Sequence, residues 1–379
     1  MMKIAQLMLF WGLWYLAFTT RALISPFLPL IEEAFAINHA TAGGLLFFAA
    51  AGTTLALSLT GYFSLRVGYK RLITLSFLLC AGALAGLCYA DTYPWFACCL
   101  FFYGMGGGFY LPCAIPLLTE VFSPEHWGKA ISVHETAAGF CMLSVPFFVA
   151  LALGIMPWRS FFLVLAGLFL LAVAVFWFMG PDAKPERQPG FGLRTLLRRI
   201  DFWVVLTLWI ASGIGVMGVY NIVPLFLVDE KEMAIASANQ LLSLSRLGGF
   251  VGQVGIGLFL DRYKTKSILA FLSIASGFSA IGLAAAQPQW LLVVMLLLQG
   301  TFCVAFFPAG IVAISKLTRP QERSLYTGAI MAVSIVTGMG LAPAVLGGIA
   351  DLYGFQIGLF LVGAGTLIVC PLIIALRDI

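Results

Sequence analysis

Long apolar stretches separated by short polar breaks set the pattern of this chain. Segments of the length needed to cross a hydrocarbon core, about 20 residues, recur near 6–31, 41–63, 71–90, 94–118, 129–152 and 158–180, and again near 202–228, 236–260, 267–286, 290–315, 324–350 and 354–376. The run from Phe161 to Gly180 does not alternate between polar and apolar positions, as a strand of a membrane barrel would. Lipid offers backbone groups no outside partner, so the remaining spanning element is the helix. The pattern predicts an all-α membrane protein with twelve transmembrane helices. The first stretch outruns the apolar core of a signal peptide and ends in no small-residue cleavage site, so it is expected to stay as the first span.

Composition excludes a soluble domain: 61% of residues are apolar and 10% are charged, where a soluble domain carries about a quarter charged residues. The basic residues are unevenly placed. Arg159 and Lys231 fall on one side of the spans and Arg21 and Arg246 inside them, while the other seventeen of the 21 lie in breaks on the opposite side. Cytoplasmic breaks collect Lys and Arg, so both termini are expected in the cytoplasm, with the chain multi-pass in a cell inner membrane. This bias accounts for the net charge of +5, and no nucleic-acid partner is needed. Five basic residues fall in the apolar-poor segment 181–200, which Pro181 and Pro185 open.

All eight cysteines lie within spans at no metal-binding spacing, which reads as packing. No metal and no cofactor are expected. No Gly-Lys-Ser/Thr phosphate loop is present, which removes the basis for an ATP-driven pump. There is no zinc or serine-hydrolase constellation either, so the chain is not expected to be an enzyme.

The two halves superimpose in sequence at an offset of 196 residues. Gly61 falls on Gly257, Arg66 on Arg262, Lys70 on Lys266, Gly104 on Gly300, Pro112 on Pro308 and Pro124 on Pro320. A constant offset implies an internal repeat: two pseudo-symmetric six-helix bundles, 1–180 and 201–379, joined by a cytoplasmic linker at 181–200. In repeats of this kind the substrate site lies near the bilayer midplane.

The segment Gly61–Arg71, GYFSLRVGYKR, resembles the signature loop after the second helix of the major facilitator superfamily. Leu65 stands where that loop carries an acid. The second half has the acid, Asp261, with Lys264 in the place of Gly68, and a third echo follows at Gly347, Asp351 and Gly354. Trp158, Arg159 and Phe161 also match what the family places at the start of its sixth helix. The resemblance implies a monomeric secondary transporter working by alternating access. Gly61, Arg66, Lys70, Gly257, Asp261 and Arg262 are then gate residues, the glycines through close helix contact. Glu120, at the end of the fourth span, is expected to partner Arg66 or Lys70 in place of the missing acid.

Ionisable groups well inside the spans are Arg21, His134, Glu135 and Arg246. An Arg at a helix centre costs about 2.5–3.5 kcal/mol on insertion scales, so each needs a partner, water or a function. Asn239, Ser243, Arg246 and Gln253 share one face of the eighth span around Phe250. Arg21 follows Thr19 and Thr20 in a span that Pro26 and Pro29 loosen, and that cluster is similar to the first helix of organic-anion and phosphate-ester carriers.

One guanidinium in each half points to a small anionic substrate, since the planar fork matches carboxylate or phosphate and does not titrate away. Tyr110, Tyr220, Asn221, Gln253 and Gln299 complete the candidate substrate set. Glu135 and His134 are the candidates for proton coupling, although adjacent helical residues point about 100° apart and are not expected to face one cavity. The fifth span lacks the Gly-Pro motif of drug antiporters. The function expected is proton-coupled transport of a small organic anion. An exporter of drug-like amphiphiles and a non-transporting sensor on the same fold are the alternatives.

Overall fold

The computed structural model describes residues 2–183, 196–260 and 262–376. Asp261, the basic residues of the linker other than Arg198 and Arg199, and Arg377 lie outside them. Among the described residues the chain is helical, with no strand.

The first six helices are α1 (Met2–Ala22), α2 (His39–Val67), α3 (Tyr69–Cys88), α4 (Tyr93–Val121), α5 (Trp127–Ala152) and α6 (Ser160–Met179). The next six are α7 (Ile200–Asp229), α8 (Ile235–Leu260), α9 (Thr265–Ala285), α10 (Gln289–Leu317), α11 (Pro320–Ser334, continuing through Ile335–Leu341 into Ala342–Tyr353) and α12 (Phe355–Val369). Proline opens several of them, Pro94 in the first turn of α4 and Pro320 in that of α11, where its missing N–H costs nothing. Among the described residues ten helices are long and apolar enough to span a membrane, and α1 with its continuation Ser25–Phe35 makes an eleventh, bent by 43°. The 26-residue α8 takes the remaining place among the twelve.

Three spans are less regular than their apolar pattern suggests. The bend in α1 falls just before Pro26. Helices α7 and α11 each contain a π-helical turn, at Ile214–Gly218 and Ile335–Leu341. These two turns meet, and a Cβ at Gly338 would overlap the backbone of Gly213. Glycine at 213, 218 and 338 supplies the closeness, and hydropathy does not register it.

The chain divides into two compact units. The first comprises 1–36 and 45–188, the second 37–44 and 189–379. In the first, α3 packs on α4 and α6 while α1 packs on α5 and α4. In the second, α8 packs on α10, α9 on α10 and α12, and α7 on α11. The outer face of α6 carries exposed Leu170, Leu171 and Phe178, as a helix facing lipid should.

The offset of 196 recurs in the contacts themselves. A Cβ on Gly104 would overlap the carbonyl oxygen of Ala49, and one on Gly300 that of Ser245. Gly52 lies against the carbonyl of Phe101, and Gly248 against that of Leu297. Lys70 Nζ donates to the Gly180 carbonyl at 2.8 Å beyond the end of α6, and Lys266 Nζ to the Leu376 carbonyl at 2.9 Å beyond α12. Each unit is therefore built on the same helix crossings and the same lysine at a helix C-terminus, where a cation is favoured.

Candidate functional site

In the second unit the polar stripe of α8 turns inward: Asn239 is fully buried, Ser243 and Arg246 nearly so, and Gln253 half-buried. The guanidinium of Arg246 lies 4.9 Å from the centroid of the Tyr220 ring of α7. On its other side it borders α10, where Nη1 is 3.8 Å from the position a Cβ on Gly300 would take. Arg246 is 2% exposed, and none of Nε, Nη1 and Nη2 has a hydrogen-bond partner among the described residues. A buried charge is normally paired, because the desolvation penalty is several kcal/mol. Here the guanidinium has an aromatic face for company and no carboxylate. Tyr220 and Asn221 are fully buried beside it on α7.

Gln299 is also buried; its amide nitrogen is committed, while Oε1 has no hydrogen-bond partner among the described residues. Nε2 donates to the carbonyl of Gly215 at 2.6 Å, within the π-helical turn of α7, and lies 3.4 Å from Cys303 Sγ. Subtracting the repeat offset gives Tyr103, whose hydroxyl bonds Thr19 Oγ1 at 2.6 Å, and Thr19 is the counterpart of Gly215. Both residues thus tie the fourth helix of their unit to the first. Arg246 has no such counterpart, since the equivalent position is Ala50.

In the first unit, Arg21 ends α1 half-buried, 5.2 Å from the Phe18 ring and 5.8 Å from the Trp14 ring. The charge of Glu135 acts on it. His134 is fully buried and stacks on Trp14 at 5.7 Å and on Tyr110 at 6.0 Å. Its Nε2 lies 3.2 Å from the Tyr110 hydroxyl, which also donates to the Phe10 carbonyl at 2.9 Å. Its Nδ1 lies 3.2 Å from Glu135 Oε1. The angular separation of adjacent helical positions did not anticipate this pairing. The Glu135 side chain, 33% exposed, curls back to the buried imidazole.

The expected gate residues are more scattered. Arg66 is exposed and lies over Tyr62 at 4.1 Å, Lys70 is held by Gly180, and Glu120 is exposed. Among the described residues neither cation is bonded to Glu120. Gly61 and Gly257 have open space where a Cβ would stand, so neither is held by the close helix contact expected of it. Arg262 is exposed beside Asp261, which lies outside the described residues.

The structure adds acidic groups at helix starts that the spans concealed. In the second unit Asp351 accepts from the N–H groups of His39 and Ala40, each at 3.0 Å, and Glu230 accepts from Phe355 N–H at the start of α12. The latter follows Gly354, whose φ of +87° suits glycine. Arg199 forks between Asp201 at 2.6 Å and Glu322 at 2.8 Å, and the Asp201 hydrogen bond pushes its guanidinium up against the effect of burial. The signal available in sequence was an acid at the first turn of a helix, present at Asp201 and Glu322.

A family model described as the Major Facilitator Superfamily matches residues 11–289 and 271–378. No curated protein sequence matches. Solved structures do. A bacterial homolog of the human lysosomal transporter Spinster, in an inward-facing and unoccupied conformation, aligns with TM-score 0.81 at 14% identity, covering 99% of this chain and 96% of that one. The nucleoside transporter NupG, solved as a point mutant, gives 0.79 at 15% identity, covering 97% and 99%. The xylose transporter XylE from E. coli, inward open, gives 0.81 at 13% identity, covering 100% and 97%. At such identities the likeness is one of fold.

Proposed function

Since the chain belongs to the major facilitator superfamily and is a membrane transporter, we propose that it carries a small organic anion by alternating access, with a proton as the coupling ion. The observation that carries this reading is Arg246, only 2% exposed, with a guanidinium that no carboxylate among the described residues neutralises. Five N–H donors in a fixed fork suit a carboxylate, sugar acid or phosphate ester. Tyr220 orients the fork from one side, and Asn221, Asn239, Ser243 and Gln253 bring further polar groups to the same helices. Arg21 offers a second guanidinium in the first unit, and Tyr110, His134 and Glu135 form the proton-handling group there.

Lys and Arg placement argues for an inner-membrane protein with both termini cytoplasmic, which we take to work as a monomer. Lys70 and Arg66 of the first half, Glu120 near them, and Gly257, Asp261 and Arg262 of the second belong to the gating ends of the helices. The substrates named for NupG and XylE say nothing of this chain's own.

The test is uptake into proteoliposomes of a panel of carboxylates, sugar acids and phosphate esters, with and without a proton gradient. Arg246→Ala should lower uptake about 10- to 100-fold, the worth of one or two charge-assisted hydrogen bonds, and Arg246→Lys should recover only part of it. Undiminished uptake by Arg246→Ala removes the residue from the site. A second reading, export of larger amphiphiles, is favoured by the clustered rings of Trp11, Tyr15 and Phe140 in the first unit. Transport of lipophilic cations in preference to every anion would decide for it.

A further inference from the structure

Tyr110, His134 and Glu135 form a line of hydrogen bonds in the first unit, running from the Phe10 carbonyl of α1 through α4 to α5. The successive separations are 2.9 Å, 3.2 Å and 3.2 Å. The inner members are fully buried, and the outer carboxylate is partly exposed. Trp14 stacks on both Tyr110 and His134, with interplanar angles of 14° and 8°, which fixes the plane of the imidazole.

This geometry can be counted in protons. A carbonyl only accepts, so the single hydroxyl proton of Tyr110 goes to Phe10. The phenolic oxygen then accepts from His134 Nε2–H. That leaves Nδ1 facing a carboxylate oxygen, two acceptors in contact unless a proton lies between them. The line as arranged therefore holds one proton more than a phenol, a neutral imidazole and a carboxylate.

We propose that Tyr110, His134 and Glu135 are a one-proton site whose tautomer is set from α1. The Phe10 carbonyl holds the Tyr110 hydroxyl proton and the phenolic oxygen holds the proton of Nε2, loaded or unloaded. The load is the proton between Nδ1 and Glu135. It departs through the partly exposed carboxylate and leaves Nδ1 bare; Nε2 and the phenol keep their protons, and no bond between heavy atoms changes. This deepens the proton-coupled reading above and rests on it for a role in transport.

The charges around the line are few. From α1, Arg21 lies over the Trp14 and Phe18 rings, within reach of the charge of Glu135, which also acts on Tyr110. Tyr15, also of α1, is bonded to Ser144 of α5. From α4, Tyr103 is bonded to Thr19 and Glu120 is exposed. The short helix Ser25–Phe27 brings no titratable group to α5. The other, Pro124–His126, brings exposed Glu125 and His126, the latter bonded to Ser123.

The experiment is a pH titration of the full chain labelled with 15N-histidine in lipid nanodiscs, read by NMR, with His134→Gln identifying the signals. Nδ1 of His134 should be protonated at low pH and bare at high pH, while Nε2 keeps its proton throughout. Tyr110→Phe, which leaves Nε2 without its acceptor, should move the proton of the neutral ring to Nδ1. In proteoliposomes the same variant should lose about tenfold in gradient-driven accumulation, a coupling of ordinary size. Nε2 that loses its proton at high pH in the unaltered protein overturns the proposal, whether or not the variant folds. So does a Tyr110→Phe protein whose neutral ring keeps its proton on Nε2. Failure of the unaltered protein to exchange any anion would instead sink the anion reading and leave the spectroscopic result standing.

Discussion

Replacing Arg246 by methionine would separate stability from transport at a single residue. The guanidinium is desolvated without a carboxylate beside it, and apolar replacement of buried charge is often neutral or stabilising by about 1–4 kcal/mol. Arg246→Met should therefore raise the melting temperature in detergent while uptake falls as it does for the alanine variant. A lowered melting temperature would mean that Arg246 serves the fold. The sequence made Arg246 conspicuous through its place in an apolar helix, and burial without a partner was left for the structure to reveal. For Glu135 and His134 the sequence supplied the residue types and a helical angle that argued against their meeting. The contact depends on a side-chain turn of Glu135, which residue spacing does not encode.

At the scale of the helix, the repeat is a matter of glycine and carbonyl. Gly104 on Ala49 and Gly300 on Ser245 are the same crossing in each unit, and lipid supplies no hydrophobic force that would press looser surfaces together. Gly104→Ala and Gly300→Ala should each destabilise by about 1–3 kcal/mol, the usual cost of overpacking. Because the overlap is with backbone, a neighbouring rotamer cannot relieve it. Thermal unfolding of the two variants checks this, and an unchanged melting temperature in both would contradict the crossing. Gly61 and Gly257 belong to the same sequence repeat yet contact nothing at the Cβ position. Substitution there is expected to be mild for the folded units, and its effect on transport then reports gating alone. The π-helical turns at Ile214–Gly218 and Ile335–Leu341 were not legible in advance. A helix and a helix with one wide turn bury the same apolar residues, and only the partner carbonyls, such as Gly215 bonded to Gln299, distinguish them.

Across the whole molecule, the bias of seventeen basic residues to one side predicts both termini in the cytoplasm. A periplasm-dependent phosphatase fused to the C-terminus should be inactive, and a fluorescent protein fused there should fold and fluoresce. The opposite result would invert every assignment of gate and cavity side. Span number, helical class, the repeat and this charge bias are written in the sequence because each follows from one-dimensional quantities: length against bilayer thickness, hydropathy, and position along the chain. What the tertiary structure alone decided is which polar groups are answered. Gln299 is spent on a backbone carbonyl, Lys70 on a helix end, and Glu135 on a histidine one position away, while the guanidinium of Arg246 is left with a ring face. In lipid a polar side chain finds its partner in whatever packs beside it, and that choice is made in three dimensions.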